Sequence, residues 1–247
     1  MDTTYKKIST KIWRPVVDKL NRKLNKACLR RDAFLERVLE VELPHLDAEI
    51  PLANTAQAKA FVAERLDQLD RKLVSLSLRA DLVDRLDEIC ARKEILRDAF
   101  FNRLFFLLAA SPKVIDRVFF VLVGQEWRTE VWSERKHDGP FFQNIFYPLE
   151  QDVDPLWPIR TGLELYGEES DLVDFEHPVS GEKIQVKKVS DDRLELPERV
   201  YTVSIDSTTF RDQDLSGLNC YLPDWRIPGH PAELKFRKEM DELLESL

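Results

Sequence analysis

The stretch that decides the fold is Leu73–Phe105, LVSLSLRADLVDRLDEICARKEILRDAFFNRLF, because the chain contains it twice. Shifting the sequence by 66 residues without a gap lays this stretch over Lys7–Leu39, KISTKIWRPVVDKLNRKLNKACLRRDAFLERVL. The tetrapeptide Arg-Asp-Ala-Phe is identical in the two copies, at residues 31–34 and 97–100, and the apolar positions on either side are kept. The repeat predicts an internal duplication.

Each copy begins with a strand-like alternation and continues with two helical segments. The inward apolar positions of the second copy are Val74, Leu76 and Leu78 in the strand and Leu82, Leu86, Ile89 and Cys90 in the first helix. The period of two predicts a strand with one buried face, and the later spacing predicts an amphipathic helix. One strand and two helices cannot bury their own apolar faces. We therefore expect the strands of the two copies to pair and their four helices to interlock.

The run Val74–Ile89, VSLSLRADLVDRLDEI, resembles the ribbon-helix-helix superfamily of DNA-binding proteins, the MetJ, Arc and CopG group. The first copy has a family-like Pro15 at the start of its helix. In that family, two chains usually pair their strands into an antiparallel ribbon that enters the major groove. The resemblance implies that one chain carries both halves here, as a fused tandem pseudo-dimer with copies at about residues 6–43 and 72–110.

Residues 1–125 are expected to form a mainly α N-terminal domain with a two-stranded ribbon, in which a helix over 54–71 links the copies. The second helix of the first copy is expected to run over 31–41 and to end at Leu43 and Pro44, because proline interrupts a helix. Residues 126–247 are expected to form a small α+β C-terminal domain, whose role the sequence does not indicate. Its predicted elements are strands over 162–166, 172–176, 183–189 and 200–205, a hairpin turn over 177–182 and a helix over 231–247.

The net charge of −8 argues against binding to nucleic acid, but the distribution of charge along the chain favours it. Residues 1–37 carry eleven Lys and Arg against four Asp and Glu, and residues 71–103 carry eight against six. The segment 38–70 has two against seven, and residues 104–247 have sixteen against twenty-eight. The two copies are therefore the only basic regions, and phosphate affinity depends on local rather than total charge.

The remaining reactive residue types give no support for catalysis, a metal or a cofactor. The four histidines are scattered, and the acidic pairs of the second half are typical of solvated loops. Three widely spaced cysteines form neither a metal motif nor a disulfide framework, and an odd count is typical of a reducing cytoplasm. The apolar runs are too short to span a membrane. We expect a cytoplasmic protein that is not an enzyme and has no membrane partner.

The outward positions of the predicted ribbon are candidate base-reading residues, because a two-stranded ribbon fits the major groove. The set is Lys7, Ser9 and Lys11 in the first copy and Ser75, Ser77 and Arg79 in the second. Two other outward residues, Trp13 and Leu73, fit this role poorly, and Trp13 is expected to close the core at the strand end.

A second kind of DNA contact is expected at the start of the second helix of each copy. Arg31 and Arg97 stand there, beside the free N–H groups of the helix. An arginine and a helix N-terminus together suit a backbone phosphate, so these two residues are the candidate phosphate ligands.

These features predict a sequence-specific protein that binds double-stranded DNA and regulates transcription. The sequence does not separate a repressor from an activator or from an accessory protein of DNA processing. The alternative is a protein-interaction or assembly module, an antitoxin-like scaffold that keeps the ribbon-helix-helix core without binding DNA. A homodimer through the C-terminal domain is a further open arrangement. Because the paired strands differ chemically, one chain is expected to recognise an asymmetric stretch of DNA.

Overall fold

The computed structural model of the chain describes residues 4–119, 154–166, 172–178, 181–191, 193–205 and 213–245. The fold is rich in helix, with a two-stranded and a three-stranded antiparallel sheet. The elements are β1 Tyr5–Trp13, α1 Arg14–Lys26, α2 Arg31–Glu49, α3 Ala56–Asp67, β2 Arg71–Arg79, α4 Ala80–Arg92, α5 Arg97–Ala109, α6 Pro112–Phe119, α7 Trp157–Tyr166, β3 Leu172–Glu176, β4 Lys183–Ser190, β5 Arg193–Glu195 and α8 Pro231–Glu245. Within these ranges no helix is long and apolar enough to cross a membrane.

The strands of the two repeats pair with each other, antiparallel, into a ribbon of β1 and β2. Ser9 lies opposite Ser75, and these two residues occupy the same position in the repeat, 66 residues apart. A pseudo-twofold axis therefore passes between them and exchanges the two copies. On the side of the ribbon that faces the helices, side chains of both strands are buried, including Ile8, Leu76 and Leu78.

The entry into the first helix of each copy is fixed by the other copy. The N–H of Arg14, the first residue of α1, donates to the carbonyl of Asp70 at 2.8 Å. The N–H of Ala80, the first residue of α4, donates to the carbonyl of Thr4 at 2.9 Å. The two bonds are related by the 66-residue shift, so the duplication extends to the hydrogen bonds.

Two ion pairs on the surface also connect the two copies and are related by the 66-residue shift. Lys72 of β2 lies 2.5 Å from Asp18 of α1, and Lys6 of β1 lies 2.8 Å from Asp84 of α4. Each lysine binds the first helix of the other copy, which is the arrangement expected of two interlocked halves.

The turns between the paired helices are also duplicated. Cys28 and Glu94, 66 residues apart, both adopt the left-handed backbone conformation, with φ of 56° and 51°. In each case the N–H of the next residue bonds to the carbonyl five residues earlier, which closes the end of the helix. A strained turn at one repeat position in both copies indicates that the backbone geometry was duplicated with the sequence.

Helix α2 extends beyond the predicted end and passes through Pro44 to Glu49, so the boundary expected near Val41 is wrong. A proline inside a helix costs about 3 kcal/mol, because it removes one hydrogen bond and crowds the preceding turn. Three apolar side chains next to Pro44 or beyond it in the chain are fully buried, namely Leu43, Leu46 and Ile50. Burial of each side chain of this size contributes about 1.5–3 kcal/mol to stability. Burial therefore outweighs the interruption.

Two strands predicted for the second half are wrong. Residues 162–166 belong to helix α7, whose neighbourhood buries Leu156, Ile159 and Leu163 at helical spacing. Residues 200–205 form a turn and irregular backbone, since carbonyls in this segment bind a buried arginine rather than a neighbouring strand.

The other predicted elements of the second half are confirmed where the structure describes them. Strands β3 and β4 pair as a hairpin, and the N–H of His177 donates to the carbonyl of Glu182 at 2.8 Å. Gly181 has a positive φ of 69°, which glycine adopts without strain. Helix α8 occupies the predicted C-terminal position. Helix α6 runs from Pro112 to Phe119.

A buried arginine joins the second half of the chain to the first. Arg103 of α5 is fully buried, and its guanidinium donates to the carbonyls of Val200, Val203 and Leu218, with Nε–O of 2.9 Å to Val200 and Nη2–O of 2.8 Å to Val203. One apolar core contains residues of both halves, from Ile8 to Ile227. The two halves are therefore packed together. The predicted domain boundary at 125/126 lies outside the described residues and stays a prediction.

Candidate nucleic-acid interface

The outer face of the ribbon is formed by the side chains that point away from the helices. Its exposed members are Tyr5, Lys7, Ser9, Lys11, Leu73, Ser75 and Ser77. None of them is acidic, in a chain whose net charge is −8. The strand alternation places five of the six predicted base-reading residues on this face with their side chains exposed.

Lys7 and Lys11 give the outer face its charge. They stand four residues apart on β1, about 13 Å along the strand by the usual rise per residue. Within the part of the chain that the structure describes, neither ammonium has an ion-pair partner. Their neighbour Lys6 differs, because it lies on the opposite face and binds Asp84 at 2.8 Å. The two outward lysines are therefore available to an external ligand.

Tyr5 and Leu73 complete the outer face, and neither is in the predicted base-reading set. Leu73 is 69% exposed and Tyr5 58% exposed, and Leu73 lies directly opposite Lys11. The alternation of the strand was enough to place Leu73 outward. Tyr5 could have been found only from the length of β1, which begins at this residue. Trp13, by contrast, is buried at the end of the strand, as expected.

The outer edge of β2 is closed by side chains of α2. The N–H of Ser77 donates to Asp32 Oδ2 at 2.9 Å, and the N–H of Arg79 donates to Glu36 Oε1 at 3.0 Å. An open strand edge would expose unpaired backbone groups to another chain, so these carboxylates keep the ribbon two-stranded.

The outer edge of β1 is closed in the same way by α5. Asp98 accepts from the hydroxyl of Thr10 at 2.7 Å, and Asn102 accepts from the N–H of Trp13 and donates to the carbonyl of Lys11, each at 2.8 Å. Asp98 and Asn102 are the repeat equivalents of Asp32 and Glu36. The repeated tetrapeptide Arg-Asp-Ala-Phe thus contains the aspartate that positions each strand. The repeat is visible in the sequence, but the role of its aspartate is not.

The two candidate phosphate ligands stand at the predicted helix starts and already hold acidic partners. Arg31 binds Asp32 through Nε at 2.8 Å and donates from Nη2 to the carbonyl of Ser75 at 2.6 Å. Arg97 lies 3.1 Å from Asp87. Both arginine side chains are partly exposed, at 28% and 36%, and ion pairs of this kind contribute only about 0–1 kcal/mol. A phosphate can therefore displace the carboxylate at small cost.

Arg79, the sixth predicted base-reading residue, is bound within the protein. Its guanidinium forms ion pairs with Asp81 and with Glu40. The hydrogen bond with Asp81 raises the pKa of Arg79 and lowers that of Asp81. The side chain is turned toward the helices at the end of the ribbon, and its part in base reading stays a prediction.

The surroundings of the two helix starts differ. A groove of about 440 Å³ lies beside β1, lined by Lys11, Leu73 and Arg97 on one side and by Ala63 and Asp67 of α3 on the other. Helix α3, which links the copies, brings an acidic side chain close to the α5 start. The two candidate phosphate-binding positions are therefore not equivalent, although the ribbon between them is pseudo-symmetric.

A second ionisable cluster is buried where α2 meets the second half. Arg160 of α7 binds Glu42 and Asp154 at 2.6 Å each and also pairs with Glu49, while the hydroxyl of Tyr201 donates to Glu42 at 2.6 Å. Burial raises the pKa of Glu42 to about 7, and Arg160 opposes this rise. The cluster joins α2 to α7 and to Tyr201, and so links the two halves of the chain.

Among the described residues, no group of histidine, cysteine, aspartate and glutamate side chains is arranged to hold a metal ion. Comparison of the chain with protein-family models, with curated proteins and with solved structures gives no match.

Proposed function

We propose that the protein binds double-stranded DNA by inserting the ribbon of β1 and β2 into the major groove, and that it acts as a transcriptional regulator. The observation that carries this proposal is the outer face of the ribbon, which presents short hydroxyl side chains, no acid, and two lysines that have no ion-pair partner among the described residues. The major groove is about 12 Å wide and admits a two-stranded ribbon. Lysine donates to guanine O6 and N7, and serine donates to or accepts from either kind of base edge.

The acidic remainder of the chain supports the same orientation. Lys7 and Lys11 are concentrated on one face, whereas the excess of acidic residues lies in 38–70 and 104–247. DNA approaching the acidic surface is repelled, and DNA approaching the ribbon is attracted, so the charge distribution favours a single binding face.

The two helix starts beside the ribbon complete the proposed interface. Arg31 and Arg97 flank the strands from opposite sides, and contacts of arginine and helix N–H groups with phosphates fix the register of a protein on the duplex. Each arginine exchanges its carboxylate partner for a phosphate when DNA is bound.

The test is the binding of the full chain to duplex DNA, first to random sequence over a range of salt concentrations and then after selection of preferred sites. A DNA-binding protein loses affinity steeply with salt, with a logarithmic slope of about −0.9 for each phosphate contacted. We expect Lys7→Ala and Lys11→Ala to weaken binding to the selected site by about 1–3 kcal/mol each.

The matched control is Lys6→Ala, which removes an equal charge one residue away but from the opposite face of the strand. Its effect on affinity is expected to be several-fold smaller. Equal losses for Lys6 and Lys7 would overturn the assignment of the outer face, and the absence of any salt-dependent affinity at low ionic strength would overturn DNA binding. The second result would favour the assembly module, in which the exposed Tyr5 and Leu73 meet a protein surface.

A further inference from the structure

Leu73 is the most exposed large apolar side chain in the described parts of the chain. A leucine left in water forgoes the stabilisation that burial provides, and the other exposed side chains of this face are lysines, serines and Tyr5. Lys11 lies directly opposite it and Ser75 two residues along the same strand. An apolar side chain in this position meets a ligand surface that is itself partly apolar.

We propose that Leu73 contacts the 5-methyl group of a thymine in the major groove, and that the ribbon consequently selects a non-palindromic site. The inference rests on the proposed function and specifies its ligand. The thymine methyl is the apolar group that a base pair presents in the major groove, and apolar side chains distinguish thymine by it. Because Lys11 is the cross-strand neighbour of Leu73, a guanine is expected close to that thymine.

The pseudo-twofold axis between Ser9 and Ser75 shows why the site is asymmetric. The axis exchanges Leu73 with Lys7, and Ser77 with Lys11. At one half of the site the ribbon offers an isobutyl group, and at the related position of the other half it offers an ammonium. A palindrome places the same base edge against both groups, whereas the isobutyl group is matched best by the methyl of thymine and the ammonium by the O6 and N7 acceptors of guanine.

The first experiment uses the full chain and a selected duplex. Each thymine of the site is replaced in turn by deoxyuracil, which removes the 5-methyl group alone. Loss of one buried methyl corresponds to about a fourfold decrease in affinity, and we expect it at one thymine. Leu73→Ser should abolish this difference between thymine and uracil. Leu244→Ser is the matched control, since Leu244 is 63% exposed on α8, away from the ribbon, and this variant should keep the difference.

The second experiment restores the symmetry of the ribbon. In the double variant Leu73→Lys/Ser77→Lys, both strands carry lysine, serine and lysine at equivalent positions. Site selection with this variant should yield a palindrome, whereas the wild-type chain should yield an asymmetric site. Both substitutions are on the exposed face, but each places a lysine directly opposite another one, Lys11 or Lys7, so the melting temperature should fall slightly. Thermal unfolding serves as the check on folding.

The outcomes separate the inference from the proposed function. If the wild-type chain has no affinity for duplex DNA, the proposed function fails and the inference fails with it. If the chain binds a selected site but uracil substitution has no effect at any thymine, or the effect persists in Leu73→Ser, the thymine contact is wrong while DNA binding stands. A perfect palindrome selected by the wild-type chain overturns the asymmetry.

Discussion

Replacing Arg103 by methionine is expected to loosen the second half of the chain from the first. Methionine keeps the apolar stem of the side chain and removes the guanidinium. The carbonyls of Val200, Val203 and Leu218 then lose a buried donor. A buried polar group without a partner costs about 1–3 kcal/mol, and three carbonyls lose their donor in this variant.

The magnitude is limited by the cost of burying the arginine itself. Burial lowers the pKa of Arg103, because the charged guanidinium loses its contact with water when the protein folds. This lost hydration is a cost of folding. Removing the cation recovers that part, so we expect a loss of about 3–5 kcal/mol rather than the larger sum over three unpaired carbonyls.

The assay is denaturant unfolding of the full chain, combined with amide hydrogen exchange. The exchange of residues 200–205 and 216–222 should accelerate more than that of the ribbon, because the lost bonds hold this segment. Arg37→Met is the matched control, since Arg37 is the repeat equivalent of Arg103 and pairs on the surface with Glu40 at 2.9 Å. It should cost less than about 0.5 kcal/mol. Equal losses in the two variants, or uniform acceleration of exchange, would refute the reasoning.

Three further predictions concern the ribbon, a backbone contact and the buried cluster. Leu78→Ala should lower the free energy of unfolding by about 2–5 kcal/mol and Ser77→Ala by less than about 0.5 kcal/mol, since the two neighbours lie on opposite faces; similar melting temperatures would contradict the assigned faces. Gly217→Ala should cost about 1–3 kcal/mol in denaturant unfolding, because the added Cβ would lie 2.6 Å from the backbone nitrogen of Leu66; an unchanged midpoint would show that this contact relaxes freely. Burial raises the pKa of Glu42 to about 7, so the contribution of this carboxyl to stability is fully present below pH 4.5 and is lost as pH rises through 7. The free energy of unfolding of Glu42→Gln should therefore rise relative to wild type by up to about 3 kcal/mol between pH 5 and pH 8. The same pH dependence of stability in both proteins would exclude this.

The sequence alone determined the duplication and the faces of the ribbon. A strand has a side-chain period of two, so the alternation around Leu76 and Leu78 fixed which residues point inward and which outward. The 66-residue shift fixed the equivalent positions, and the pairing of Ser9 with Ser75 follows that shift. These features are local or periodic, and they are therefore visible without a structure.

The tertiary structure decided the features that depend on partners distant in the chain. Helix α2 passes Pro44 because its far end is buried against the second half, and that second half is 118 residues away at the Arg160–Glu42 bond. Arg37 and Arg103 occupy the same repeat position, yet one is exposed and the other is fully buried. They differ because residues 200–205 and 213–222 pack against α5 and their carbonyls surround the Arg103 guanidinium. The same packing gives residues 200–205 an irregular backbone instead of the predicted strand. A repeated sequence specifies equivalent backbones, whereas the environment of each copy is set by whatever the rest of the chain packs against it.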